Sequence, residues 1–434
     1  MSYGITVLAM VFIVSAGLGV PMGISMLTAG FAYMFAKHQD VGLVVDQTMN
    51  GLSNNYLLLS IPLFIFVAQL MNASGVTERL LAFAQATVGR FRGGLAHVNV
   101  VSNLIFSGMS GSAVADASGP GLIVSRMMMK NGRYPAGFAV TTSAVSATLG
   151  PLVPPSIPMI FYSVIAGAST SALFLAGIVP AVLTAGALMI GISIIAKRRN
   201  FPAEAAASWL EIIPLMFKAL PALLMPGLLL GIIYSGIATP TEAAAIAASY
   251  ALFLAFVFYR SLHINRLFSL IAETVGQTAS IGLIMSGAFV FNYAVANEGI
   301  PVLLKATLLN WHLTSVQFLL AVNLILILLA VIIDEVTILL VIVPVLTPIA
   351  TALGIDLVHF GVIIMLNMMV GLVLPPHGLL LFVMTNLTET SLSDVFKEVP
   401  FFIGVLIIML LLTTFIPAIA LTLPVFFGYV PLGH

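Results

Sequence analysis

The sequence contains no cysteine. That excludes disulfides, thiolate-held zinc or iron–sulfur clusters, and thiol catalysis. Charge is scarce as well. Asp, Glu, Lys and Arg make up 7% of the 434 residues and balance to a formal net charge of zero, whereas a soluble domain carries about 25% charged residues. With no basic stripe, nucleic acid is not an expected partner. No nucleotide-binding motif is present, so ATP is not the expected motor. No basic stretch precedes the apolar residues 5–20, which therefore read as a retained span and not as a cleaved signal peptide. What remains is apolar: 61% of residues are hydrophobic and the mean hydropathy is +1.17. Such a chain cannot cover itself with polar surface, so the lipid bilayer is its expected solvent.

Apolar runs near 4–20, 22–36, 56–72, 138–165, 171–196, 219–235, 240–260, 277–296, 358–388 and 398–427 are candidate spans, most near the roughly 20 residues a bilayer needs. Two longer runs, 98–128 and 315–350, are broken in the middle by Gly108 to Asp116 and by Asp334–Glu335. Each reads as a re-entrant hairpin. Segments 76–92 and 298–312 (Glu298, Lys305, Trp311, His312) precede them and look interfacial. Arg90, Arg92, Arg126, Lys130, Arg133, Lys197, Arg198, Arg199, Arg260 and Arg266 fall in loops that one threading puts on one side. By the positive-inside rule that side is cytoplasmic, and both termini lie outside.

The chain also repeats itself. Pro21 and Pro240 lie 219 positions apart, Gly75 and Gly299 224, Asn103 and Asn323 220, and Pro154–Pro155 and Pro375–Pro376 221. GPLVPPSIPMIFY overlays GLVLPPHGLLLFV. Residues 1–197 and 213–434 thus read as two repeats joined by a cytoplasmic linker, 198–212. Each repeat holds three spans, a hairpin, a broken span (138–165 or 358–388) and a closing span. Five crossings per repeat turn the second upside down. That is the inverted-repeat plan of secondary transporters, whose sites lie at the midplane where broken helices meet.

Irregular backbone at membrane depth persists only where protein, ions or water satisfy it. Gly108 and Gly111 admit a close backbone approach, and Ser107, Ser110 and Ser112 add neutral oxygens. In GPLVPPS, Pro154 and Pro155 block the previous turn and free carbonyls around Gly150 to Val153. Hydroxyls and carbonyls together suit a hard monovalent cation. The pattern recurs at Asp334–Thr337 with Val373–Gly378. The plainer alternative is close packing of small residues with a proline kink. Asp116 and Asp334 are intramembrane acids, open to a functional role or to capping a half-helix N-terminus. In Thr239-Pro240-Thr241-Glu242 the spacing predicts a capping box. His377 is open to anion contact or to packing as a neutral ring.

LLSIPLFIFVAQLMNASGVTERL, RGGLAHVNV, FSGMSGSAVAD, TLGPLVPPSIPM, IATPTEAAA, VPVLTPIATALGIDLVHFGV and GLVLPPHGLLLFV run almost from end to end. In these segments the chain resembles the large membrane subunit (DctM-like) of tripartite ATP-independent periplasmic (TRAP) transporters. The match departs at His377, where the family pattern has a small apolar residue, and at ASGPG after SGSAVAD. The resemblance implies an all-α, multi-pass protein of the bacterial inner membrane: an inverted-repeat, elevator-type transporter with two re-entrant hairpins and two broken helices. It implies import of an organic acid anion (a C4-dicarboxylate, sialic acid, another sugar acid or a sulfonate) coupled to Na+. It also implies two partners, a small four-helix (Q-type) membrane subunit and a periplasmic substrate-binding protein. Sodium would be held by Ser107, Gly108, Ser110 and Ser112 with Gly150, Val153 and Pro154, and by Asp334 and Thr337 with Val373 and Pro375. Substrate would lie among Gly111, Asp116, Pro155, Ser156, Pro376, His377 and Gly378. No catalytic role is expected. The rivals are a stand-alone sodium–dicarboxylate symporter, a channel, and an intramembrane serine hydrolase using Ser110 or Ser112, which would need a general base within reach.

Overall fold

A computed structural model describes residues 3–205, 207–310 and 312–432; Trp311 of the expected interfacial segment lies outside them. The described chain is helical, with no strand. Among the described residues six helices are long and apolar enough to cross a membrane: Tyr56–Ala73, Thr170–Arg199, Leu210–Tyr234, Pro240–Phe258, Ile264–Asn297 and Leu392–Phe415. The bent pair Glu335–Val341 and Val343–Ala352, at 53°, makes a possible seventh.

Element order runs in parallel in the two halves. Tyr3–Gly17, Met22–Ala36, Gly42–Ser53, Tyr56–Ala73 and Val76–Val88 lead into the pair Gly94–Ser110 and Ala113–Met129. Then come the halves of a broken helix, Ala136–Ala147 and Ile157–Ala166, and the long Thr170–Arg199. In the second half Trp209–Tyr234, Pro240–Phe258, Ile264–Asn297 and Ile300–Asn310 precede Ser315–Leu329 and Glu335–Ala352. Leu357–Gly371 and Leu379–Thr388 follow, then Leu392–Phe415.

Several boundaries differ from the hydropathy reading. Gly42–Ser53 is a helix that apolar runs do not mark, because Asp46, Gln47, Thr48 and Asn50 interrupt it. It is held by packing, with Gly51 flush against the Phe289 ring. Ile264–Asn297 begins well before the apolar run at 277 and extends unbroken over 34 residues. Tyr3–Gly17 and Met22–Ala36 have 15 residues each. At about 1.5 Å per residue they reach roughly 22 Å, short of a bilayer core of about 30 Å.

The halves interlock where small residues let backbones touch. Met22–Ala36 crosses Ile264–Asn297 at Gly23, where an added methyl would meet the Leu283 carbonyl at 2.8 Å. Such crossings replace the hydrophobic drive that lipid removes. One end of this contact is sealed by ions. Lys37 pairs with Glu298 at 2.8 Å, Tyr33 donates to Glu298 at 3.1 Å, and Asn297 donates to Tyr33 at 2.7 Å. The Glu298 hydrogen bond holds the Lys37 ammonium above its ordinary pKa.

Basic loops gather at the other end. Arg79 stacks on the Tyr259 ring at 4.0 Å and Ser261 donates to the Ser74 carbonyl at 2.9 Å. Arg199 pairs with Glu398 at 2.6 Å. The linker belongs to this end too. Gly93 donates to the Pro202 carbonyl and Glu204 to the Gly89 carbonyl, both at 3.0 Å, while Arg133 pairs with Glu204. The linker is therefore strapped to the base of the first helix pair.

Each helix pair is clamped by asparagine. Asn99 donates to Ser143, and Asn103 donates to Asn99 at 2.7 Å. The Asn99–Ser143 bond ties Gly94–Ser110 to Ala136–Ala147, and Asn103 holds Asn99 in place from the next turn of the same helix. In the second half Asn367 donates to Asn323 at 2.9 Å, and Asn323 donates to Thr414 at 2.9 Å. Asn323 and Asn367 are buried, so their bonds are made away from water. Asn323→Leu removes two buried hydrogen bonds at once, worth about 0.5–1.5 kcal/mol each. Thr414 keeps its bond to the Leu410 carbonyl and Asn367 its bond to the Ile363 carbonyl. The expected outcome is a melting temperature lowered by several degrees in detergent, read by thermal-shift fluorescence. An unchanged value would show the clamp to be idle.

Candidate functional site

The first site begins where Gly94–Ser110 stops. Gly111 takes φ +59°, a left-handed conformation that glycine adopts without penalty. Ser112 then caps the returning helix, accepting from the Ala115 N–H at 3.4 Å. Asp116 lies one turn further on, fully buried. It caps nothing: its carboxylate accepts hydrogen bonds from the Ser107 and Ser110 hydroxyls. These two serines, expected as cation ligands, thus turn their protons inward to an acid. Ser110 also accepts from the Ser112 N–H at 3.3 Å, and the remaining lone pairs are left for other donors or ions. Beyond Asp116, the ASGPG segment forms a π-bulge containing Pro120. There Gly119 comes close enough to Asn72 that an added methyl would sit 3.0 Å from its amide oxygen.

The tip is pressed onto the break in Ala136–Ala166. Ile157 donates to the Gly111 carbonyl at 3.4 Å. A methyl at Gly111 would strike the Pro155 carbonyl, and one at Gly150 would lie 2.8 Å from the Ala113 nitrogen. Ser156 is occupied locally. It donates to the Pro151 carbonyl at 2.7 Å and caps Ile157–Ala166 by accepting from the Met159 N–H at 3.3 Å. The carbonyls of Gly150, Val153 and Pro154 accept no hydrogen bond among the described residues. Gly108 lies between Pro226 and the Val153 side chain of the break, where an added methyl would sit 2.9 Å and 3.7 Å away.

The second site is built of the same parts, more loosely. Asp334 caps Glu335–Val341, accepting from the Thr337 N–H at 3.0 Å and from its hydroxyl at 2.6 Å. This aspartate is the helix cap that Asp116 is not. The break after Gly371 closes on itself: Gly378 donates to the Leu374 carbonyl at 2.8 Å and Leu380 to the Leu372 carbonyl at 3.1 Å. The Val373 and Pro375 carbonyls accept no hydrogen bond among the described residues. Pro376 and His377 are exposed, unlike the buried Pro154, Pro155 and Ser156. Both Pro–Pro peptide bonds, 154–155 and 375–376, are cis. The arms Ser315–Leu329 and Glu335–Ala352 meet at their base, where Ser315 donates to the Leu353 carbonyl at 3.0 Å. Higher up they part. Both arms pack on Leu357–Gly371; beyond it Ser315–Leu329 packs on Leu392–Phe415, while Glu335–Ala352 packs on Ile157–Ala166, Ile264–Asn297 and Ile300–Asn310. Thr337 faces an apolar cavity of about 320 Å³ with Phe12 and Phe291.

Two further cavities join these pieces. One of about 200 Å³ touches both tips and both breaks. Its walls include Gly111, Ser112, Pro151 and Ile157 on one side and Glu335, Met368, Leu372 and Leu379 on the other. The other, about 420 Å³, lies beside the first tip and is lined by Ser110, Ser112 and Ser118 together with Gln69, Asn72, Gln277 and Ser280. The last four are invisible to a search for breaks. The signal that could have found them is a pair of polar residues spaced i, i+3 within an apolar run, Gln69 with Asn72 and Gln277 with Ser280, which places each pair on one helix face.

The chain matches, over residues 8–419, the family model "Tripartite ATP-independent periplasmic transporter, DctM component". It is similar to the sialic acid TRAP transporter large permease protein SiaM of Vibrio cholerae serotype O1, at 38% identity over 95% of this chain and 96% of that one. It is also similar to the C4-dicarboxylate TRAP transporter large permease protein DctM of the same organism, at 35% identity over 96% of this chain and 97% of that one. The crystal structure of the Alcanivorax borkumensis YdaH transporter superposes with a TM-score of 0.63 at 16% identity. That match covers 88% of this chain and 87% of the other, and it speaks for the fold alone.

Gly111→Ala should reveal how tightly the tip is held. The substitution forces an L-residue into the left-handed region, at about 1–2 kcal/mol, and drives a methyl into the Pro155 carbonyl. We expect a clear fall in melting temperature. Gly186→Ala is the control: it meets nothing within 4 Å inside a helix, where Ala is favoured by up to about 1 kcal/mol, so its melting temperature should hold or rise.

Proposed function

The chain belongs to the DctM component family of tripartite ATP-independent periplasmic transporters, and from that membership we propose that it carries an organic acid anion across the bacterial inner membrane by a sodium-coupled elevator mechanism. The observation that supports this most directly is the pairing of unsatisfied backbone with helix tips. Two breaks leave carbonyls at Gly150, Val153 and Pro154 and at Val373 and Pro375 without hydrogen bonds. Both lie on elements that border one cavity with the two tips. Carbonyl and hydroxyl oxygens of this kind suit a hard monovalent cation. Here sodium is co-transported cargo.

In this mechanism Ser107, Ser110 and Ser112, with the first set of carbonyls, hold one sodium ion, and Asp116 orients the first two hydroxyls. Asp334 and Thr337, with Val373 and Pro375, hold the second once the splayed pair draws in. The helix N-termini at Ala113 and Ile157 then favour the substrate carboxylate. The asparagine clamps make each helix pair move with its broken helix as one body, and the Asn323–Thr414 bond carries Leu392–Phe415 with the second. The remaining long helices form a scaffold, in which the Gly23–Leu283 crossing joins the two repeats. The parallel element order of the halves supports the inverted repeat. The clustering of basic loops at one end supports placing that end in the cytoplasm and both termini in the periplasm. A tripartite transporter has two other parts, here a small four-helix membrane subunit and a periplasmic binding protein. Sialic acid and C4-dicarboxylates are the substrate classes carried by relatives. The hydrolase alternative is not favoured, because the relatives matched along almost the whole chain are transporter permeases and Ser112 is taken up in capping a helix.

Proteoliposomes holding this chain with its small subunit, supplied with loaded binding protein, test the coupling. Uptake should require an inward sodium gradient. Asp116→Asn should raise the sodium concentration for half-maximal uptake at least severalfold, since the amide cannot accept from both serines. Uptake that persists undiminished without the gradient would overturn the mechanism.

A further inference from the structure

The two cavities at the first tip differ in ionisable groups, and that difference bears on where a substrate sits. The smaller one admits Glu335. A substrate carboxylate there would lie against an acid side chain in poorly screened space. Among the described lining residues of the larger one there is no acid and no Lys or Arg. Its polar groups are three amides, Gln69, Asn72 and Gln277, and four hydroxyls, Ser110, Ser112, Ser118 and Ser280. Asp116 is shielded from it behind the hydroxyls of Ser107 and Ser110.

Five of these side chains are already engaged. Ser110 donates to Asp116, Ser112 accepts from the Ala115 N–H, and Ser118 donates to the Val114 carbonyl at 2.8 Å. Asn72 accepts from Thr77 at 3.1 Å, and Ser280 donates to the Gly276 carbonyl at 3.1 Å. Gln69 and Gln277 make no hydrogen bond among the described residues, so each offers donors and an acceptor to whatever fills the space. The volume equals roughly 14 waters at about 30 Å³ each, and a four-carbon diacid would fill only part of it. A diacid would also bring a second carboxylate to a wall with no cation to neutralise it.

We propose that the larger cavity receives the hydroxylated body of a sugar-acid monocarboxylate, with Gln69 and Gln277 as its specificity-determining contacts. This rests on the transport function proposed above. The carboxylate lies at the tip, near the Ser112-capped helix N-terminus, and the hydroxyls extend between Tyr56–Ala73 and Ile264–Asn297. Both of those helices are scaffold. The glutamines therefore grip substrate only while the first tip stands at this level, and they release it when the body slides. A site that pairs with substrate hydroxyls rejects an analogue lacking them, because its own polar groups are then left without partners.

The test is thermal stabilisation of the purified complex of this chain and its small subunit. Gluconate, N-acetylneuraminate and succinate are each added at millimolar concentration, in sodium or in potassium buffer. The expected result is a sodium-dependent rise in melting temperature with at least one of the two hydroxylated acids and none with succinate. Gln69→Ala and Gln277→Ala should each move the midpoint of that response about tenfold higher, with the ligand-free melting temperature unchanged. A sodium-dependent response to succinate as large as that to the sugar acids would overturn the assignment and leave the transport function standing. So would variants that keep the original midpoint. A complex that responds to none of the three acids in sodium would overturn both.

Discussion

Every peptide group at membrane depth must find a partner, and this fold is arranged around the two places where the chain cannot supply one. Pro154–Pro155 and Pro375–Pro376 remove N–H donors and block the preceding turns. The carbonyls at Gly150, Val153, Pro154, Val373 and Pro375 are left over. An unsatisfied group in hydrocarbon costs several kcal/mol, so the breaks must be kept from lipid. Packing does this at the first break, where Gly111 and Gly150 bring two backbones into contact. The asparagine clamps follow from the same need: a tip placed against a break is useful only if its supporting helices hold register.

The sequence showed the breaks but not how they are dressed. Proline and glycine mark irregular backbone directly, so the hairpin tips, the breaks and the Thr239–Glu242 capping box could all be placed by position. In the structure the Glu242 carboxylate accepts from the Thr239 N–H at 2.7 Å, as the spacing predicts. Side-chain direction is a different matter. Ser107 and Ser110 sit at three-residue spacing on one face, and nothing in the letters says that this face meets Asp116 and not an ion. Asp116 and Asp334 look alike in sequence, yet one receives two hydroxyls from the facing helix and the other caps its own. The difference lies in what precedes each: Ser112 takes the capping position four residues ahead of Asp116, while Asp334 itself occupies that position.

Helix ends obeyed packing more than hydropathy. Gly42–Ser53 forms despite its polar residues because Gly51 gives the Phe289 ring a flat seat. Ile264–Asn297 carries Glu273 and Gln277 without a break because no proline or capping residue stops it. Gln277 thereby comes to face the first tip from a helix whose apolar run begins only at that residue. A polar residue near the start of a span reads as interfacial in one dimension. In three dimensions it lies on a wall shared with Gln69, more than 200 positions away.

The two halves are built from like parts but are not in like states. The first tip is closed on its break, with Pro155 and Ser156 buried. The second pair touches sparingly, at its base and around a small cavity lined by Leu326, Ala330, Glu335 and Ile338, and Pro376 and His377 stand open. On the proposed mechanism this division is useful. A preformed first site needs little reorganisation to accept its ion, and so binds without a large entropic cost. The second must draw two arms together, so binding there is coupled to a shape change of the body that moves. An ion that favours the drawn-in arrangement shifts the population toward it by its differential affinity and no more. One rigid site and one yielding site can thus link occupancy to movement, which two rigid sites could not do.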